Sequence, residues 1–282
     1  MRTRVYNKMT AQEVEDYLAR GGDTMYVAVG VVEVHGACPI DCETIIPEAM
    51  AVTMAEKADG LAMIDLPYFY PGGTVISNAT VHITIRDGID YLMRLAHSLV
   101  DQGFRRLYFI SGHGPSALTI NAFCREFFEE TLIHPCHMGM INMQVWANGD
   151  TGGMPGGLDA MTYGAYKMFN QLDYIPIDPN ATEEHGERIP TDPVMSRFMK
   201  LYTRYAGYGV TAQIFSDPRQ HGGGRVFKSR EELEAVADQG IEEIKTLVDK
   251  LPLVELNKAL GEYQAYCQRV AAANPRIRKH VH

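Results

Sequence analysis

The sequence predicts an α/β fold: a single domain with a mostly parallel central sheet flanked by helices. Three observations predict it. Apolar runs of strand length alternate with segments of helical period. Those runs carry no polar alternation, as expected of strands covered on both faces. Two of them end in His-bearing turns, Glu33-Val34-His35-Gly36 and Ser111-Gly112-His113-Gly114. In open parallel sheets, sites form at the carboxyl ends of strands.

Each element has its local reason. Thr10-Ala11-Gln12-Glu13 has capping-box spacing and opens a helix to about Arg20, which Gly21-Gly22 stops. Val27 to Val32 is an unbroken apolar run and reads as a buried strand ending at Glu33. Glu33 and His35 follow it two apart, so an extended backbone sends both side chains to one face. The loop from Gly36 to Thr44 holds Cys38, Asp41, Cys42 and Glu43. Ile45 to Ala58 reads as a helix, and Leu61 to Leu66 as a second strand. Pro67 to Thr80 is a long irregular loop rich in Tyr, Gly and Asn, the kind that builds sites.

Asp87 to Gln102 has helical period and ends at Gly103. Leu107 to Ile110 is a third strand, and a helix follows from Ala117 to Glu130. The apolar stretch Ile141 to Val145 predicts a fourth strand. Thr151 to Gly157 is a Gly-rich loop, and Leu158 to Gln171 a helix. Asp192-Pro193 starts another helix, with Asp as cap and Pro in the first turn. Gln220 to Val226 is a second Gly-rich loop. Ser229-Arg230-Glu231-Glu232 caps a long helix to about Leu251. A last helix runs from about Val254 to Ala273, giving a domain over residues 1–252 and a C-terminal helix and tail over 253–282.

Composition excludes several classes. The chain of 282 residues is 46% hydrophobic and 22% charged, a globular balance. A net charge of −9 argues against nucleic-acid binding. No apolar run approaches the length of a membrane span, and the polar start has no signal-peptide core, so a cytoplasmic protein without a membrane partner is expected. Five Cys without a Cys-x-x-Cys pair suit a reducing compartment.

The chemistry is read from the two His turns. A carboxylate and an imidazole converging at a strand end are typical ligands of zinc or a harder cation. His113, flanked by Gly112 and Gly114, sits where a ligand can approach the backbone. Acidic residues in the loop after His35 supply further oxygen donors. His221 precedes three glycines in a loop that could close over a ligand.

This set of motifs resembles the creatininase (creatinine amidohydrolase) family. The matches are Glu33-Val34-His35-Gly36, then Glu43-Thr44-Ile45-Ile46, then Ser111-Gly112-His113-Gly114. Asn78-Ala79-Thr80-Val81, Gly103-Phe104-Arg105-Arg106-Leu107 and Lys228-Ser229-Arg230-Glu231 add to them, and the resemblance spans most of residues 10–250. It implies a metal-dependent hydrolase that uses metal-activated water against a carbonyl of a small cyclic substrate, cleaving a C–N amide bond. It implies one or two divalent ions (zinc, manganese or iron) and a homo-oligomer, often a hexamer. By position, Glu33, Glu43 and His113 would hold a first metal, and His35 with the shared Glu43 a second.

The departures are specific. The loop after His35 is one residue shorter than the family form, and Glu43 stands where Asp is expected. Asp41 is the competing ligand. Pro115 stands where the creatinine-cleaving branch has Glu. Pro155-Gly156-Gly157-Leu158-Asp159 stands where other branches carry a His-Ala-Gly motif, with Asp159 a partial substitute. For the general acid, His35 is the candidate if the second metal is absent, Asp159, His185 and His221 are weaker ones, and Glu33 belongs to the same catalytic set. Two alternatives accompany the amidohydrolase reading. One is ring opening of an oxidised inositol-type cyclic ketone by C–C cleavage, suited by polar loop residues such as Tyr68, Tyr70, Asn78, Asn148, Asp150 and Gln220. The other is a metal-binding family member without catalysis.

Overall fold

The computed structural model describes residues 1–75, 79–149, 157–182, 186–206, 212–274 and 276–277. Asn78, Asp150, Pro155, Gly156 and His185 lie outside them. Four strands make the central sheet: β1 (Thr24–Ala28), β2 (Leu61–Met63), β4 (Arg106–Ser111) and β5 (Cys136–Gly139). A short pair, β3 (Gly73–Val75) and β6 (Gln213–Phe215), stands apart. The main sheet has the order β2-β1-β4-β5 and is parallel throughout; β3 and β6 are also parallel.

Helices cover both faces of the sheet, and strand alternation explains how. Met25 and Val27 of β1, with Leu107 and Phe109 of β4, face α1 (Ala11–Ala19), α3 (Ile85–Gln102) and α4 (Ala117–Thr131). Tyr26, Ala28, Tyr108 and Ile110 face α2 (Cys42–Lys57), α6 (Gly157–Met168) and α9 (Arg230–Lys250). The expected capping box is present on α1: Thr10 accepts from the Glu13 amide, and Glu13 accepts from the Thr10 amide. The last helix, α10 (Leu253–Ala273), buries Leu253 in the α2/α6/α9 core, and the Tyr108 hydroxyl donates to Asn257 there at 2.6 Å.

Three expectations are corrected. First, the regular strand ends at Ala28, not Glu33. Beyond it the chain stays tied to the sheet through Val29 N to Ile110 O (2.8 Å) and Gly30 N to Leu66 O (3.0 Å), but β2 ends too early to continue a ladder. Second, α2 begins at Cys42, so Glu43 sits in a first helical turn and not in a loop. The Thr44 and Ile45 amides already bond Asp41 O at 2.7 and 3.0 Å. Third, Ile141–Val145 is not a strand. It lies within helix α5 (Met140–Asn148), and the fourth strand is the preceding Cys136–Gly139. Asn142 and Gln144 interrupt the apolar residues here, and only packing on the core tells a short buried helix from a strand.

Two further α-helices are α7 (Pro193–Ala206) and the four-residue α8 (Pro218–His221), and a 3₁₀ turn, Gly114–Ser116, follows β4. No helix among the described residues is long and apolar enough to cross a membrane.

Candidate metal centre

The extensions of β1 and β4 and the first turn of α2 meet at one point. Glu33 is held by its own amide, which donates to Ile40 O at 2.8 Å, and its side chain is 1% exposed. Gly30 lets α2 come close. A Cβ there would sit 2.4 Å from Thr44 Oγ1, and that hydroxyl donates to Val31 O at 2.9 Å. This contact aims the neighbouring Glu43 inward. The amide of His113 donates to Ser111 Oγ at 3.1 Å, which fixes the turn that presents the imidazole.

Four predicted site residues come together, all buried: Glu33, His35, Glu43 and His113. His113 Nδ1 makes a short hydrogen bond to Glu43 Oε2 and lies 3.5 Å from Glu33 Oε2. Its other nitrogen contacts Pro71 O. His35 Nε2 is 3.8 Å from Glu43 Oε1. Two sets of donors are close enough to surround a cation: Glu33, Glu43 and His113, and Glu33, His35 and His221. Glu33 is common to both sets, where the sequence pointed to Glu43 as the shared carboxylate.

Electrostatics follow from burial and neighbours. For His113, burial alone lowers the pKa, but the charges of Glu43 and Glu33 and the bond to Glu43 raise it to about 9. For Glu43, burial alone raises it, but His113 and His35 hold it down at about 2. His35 is shifted downward by burial first, so it stays a neutral imidazole. A proton on His113 is thus what balances the carboxylates here.

The donor set fits a divalent cation. Both carboxylate oxygens of Glu33, His35 Nδ1 and His221 Nε2 are buried without a hydrogen-bond partner among the described residues. Buried polar atoms are seldom left so, and several converging on one point are what a metal would satisfy. Carboxylate and imidazole together suit zinc or manganese.

The other sequence candidates are placed elsewhere. Asp41 Oδ1 accepts from the Tyr166 hydroxyl at 2.5 Å and belongs to neither donor set. Asp159 Oδ1 accepts from Cys38 Sγ at 3.2 Å. Burial pushes the Cys38 and Cys42 thiols upward, so neither is a ready nucleophile. Gln220 and Asn148 serve local structure: Gln220 Oε1 accepts from the Ser216 amide, and Asn148 Oδ1 from Lys250.

His137, on the edge strand β5 and outside the residues the sequence singled out, lines a cavity of about 210 Å³ beside Gly112, His113 and Gly114. Its Nδ1 bonds Asn121 Oδ1 at 2.7 Å, and burial lowers its pKa to about 4. Its partner Asn121 lies on α4, 16 residues earlier, and no sequence pattern signals that pairing.

A doubly covered parallel sheet with buried carboxylates and imidazoles at its carboxyl ends defines a metal-site α/β protein. The chain belongs to the creatininase family: the model described as creatininase, creatinine amidohydrolase, matches residues 7–154. Solved structures share the fold. A provisionally named creatinine amidohydrolase from Bacteroides fragilis is 17% identical, with a TM-score of 0.59 over 95% of this chain and 98% of that one. A creatinine amidohydrolase (creatininase) crystal structure is 17% identical, with a TM-score of 0.55 over 89% and 99%. A Zn-Zn type creatininase variant is 18% identical, with a TM-score of 0.53 over 89% and 100%. No curated protein matches the sequence.

Proposed function

We propose that this chain is a metal-dependent amidohydrolase acting on a small substrate with a cyclic amide carbonyl. The observation that carries the reading is the buried Glu33–Glu43–His113 set, in which both Glu33 oxygens lack hydrogen-bond partners among the described residues, standing on the family's own motifs. Glu33, Glu43 and His113 would hold the first ion, with zinc or manganese the expected occupant, since related structures are titled Zn-Zn type and Mn. When bound, such an ion supplies Lewis-acid polarisation and a water of lowered pKa.

The chain's own residues do the rest. Glu43, ionised down to about pH 2, keeps its charge across the working range. While no second ion is bound, His35, a neutral imidazole of the same cluster, can take a proton from water or pass one to a leaving nitrogen. The cavity beside His113 offers His137, whose free nitrogen can accept from a substrate N–H or O–H. Asp41 and Asp159 have no part in this proposal, because Tyr166 and Cys38 engage their carboxylates.

The test is elemental analysis joined to a hydrolysis screen of small cyclic amides. Wild type should carry transition metal and open at least one of them. Glu33→Ala and His113→Ala should lose both properties while remaining folded by circular dichroism. A wild type that takes up no metal when supplied with zinc or manganese overturns the proposal.

A further inference from the structure

We infer that His221, carried on the 217–224 loop, completes a second metal position with His35 and Glu33, and that filling it fixes the loop. The inference rests on the metal reading above and adds a ligand to it.

The geometry is specific. His221 Nε2 lies 3.3 Å from Glu33 Oε2, and its ring centroid lies 4.4 Å from that of His35, with the planes inclined by 65°. A histidine serving only as packing, here against Phe215 at 4.9 Å, has no reason to face a carboxylate whose two oxygens lack hydrogen bonds. An ion between the two imidazoles and Glu33 would satisfy these atoms together. Pro115, two residues after His113, has no side-chain donor to give here.

The loop is built to deliver this residue. Gly223 O accepts from the Ala37 and Cys38 amides at 3.2 and 3.3 Å. A Cβ on Gly36, which has φ +60°, would lie 2.3 Å from Gly222 O. A Cβ on Gly224, at φ +152°, would lie 2.4 Å from the Cys38 amide nitrogen. Two backbones therefore touch directly, and one carries His35 while the other carries His221. A capping box between Asp217 and Gln220 shapes the short helix that ends at His221.

The two positions differ in donors. The first has two carboxylates and one imidazole; the second has one carboxylate and two imidazoles. Nitrogen-rich sites favour zinc, and oxygen-rich ones tolerate harder ions such as manganese. The second position should therefore be the more selective for zinc.

The experiment titrates metal-free protein with Zn²⁺ and counts bound ions by elemental analysis after gel filtration. It uses wild type, His221→Ala, His221→Gln and Glu43→Gln. Hydrogen exchange of residues 217–224 is followed with and without Zn²⁺. Wild type should bind two ions, and both His221 variants one, with affinity for the second ion falling more than about 100-fold. Zinc should slow exchange in the loop of wild type but not in the His221 variants. Two ions in both folded His221 variants, or a wild-type loop indifferent to zinc, overturns the inference and leaves the first site standing. A wild type without metal overturns both.

Discussion

Glu43 and Glu48 stand five residues apart on α2, both buried, and their carboxyl groups move in opposite directions. For Glu48, burial pushes the pKa up to about 7; its Oε1 accepts from the Asp65 amide at 2.8 Å, and the nearby Asp65 and Asp41 charges add to the rise. For Glu43, the same burial is overcome by His113 and His35, and the pKa falls to about 2. One helix thus carries a carboxyl that burial neutralises and another that imidazoles keep ionised. Burial alone does not make a metal ligand; a carboxylate converging with imidazoles does.

The largest effect expected from breaking this contrast is at Glu43. Glu43→Gln removes a charged ligand, and metal affinity should fall more than about 100-fold, since even residues that merely support ligands are worth 10–100-fold. Competition with a chromophoric chelator measures it. Unchanged affinity would remove Glu43 from the first site.

The second break is at Glu48. Its pKa in the fold, about 7, lies above its ordinary 4.5, so the folded protein holds the extra proton. Stability from this group is fully present below pH 4.5 and is lost as pH rises through 7. The loss is on the order of 3 kcal/mol. Glu48→Gln should abolish it, so that urea midpoints at pH 5 and pH 8 draw together. A wild type and variant with parallel pH curves would refute the shift.

The third sharpens the contrast from the backbone side. Gly30→Ala drives a Cβ against Thr44 and should destabilise by about 1–3 kcal/mol. Because Thr44 adjoins Glu43, metal affinity should fall as well, while the Glu48 titration stays put. Thermal melts and the same chelator assay would read both. The smallest effect is expected far from the site. Arg125 pairs with Glu129 on the surface of α4, and Arg125→Ala should change stability by less than about 0.5 kcal/mol. A larger change there would mean surface charge, and not the buried cluster, dominates the electrostatics.

Much of this arrangement was legible beforehand. The sheet class and the two His turns follow from apolar runs that end in polar residues, and the Glu33–His35–Glu43–His113 constellation was implied by the resemblance to the creatininase motifs. The helix boundaries at Thr10 and Ser229 came from capping chemistry, which is local. What sequence missed depends on partners distant in the chain. Ile141–Val145 is apolar enough for a strand, and only the close of the ladder at Gly139 turns it into a helix. The motif Thr44-Ile45-Ile46 favoured Glu43 over Asp41, but nothing local in the sequence shows that Tyr166, 125 residues from Asp41, engages the Asp41 carboxylate. His221 was visible as a residue before three glycines, but its contact with Glu33 depends on a backbone seam that sequence does not spell out.

That seam also orders events in time. Glu33, His35, Glu43 and His113 have all left the ribosome about 108 residues before His221 does. At 5–20 residues per second, the gap is roughly 5–20 s. During that interval the segment that covers the edge at Gly36, with Gly222 at its contact, has not yet been synthesised.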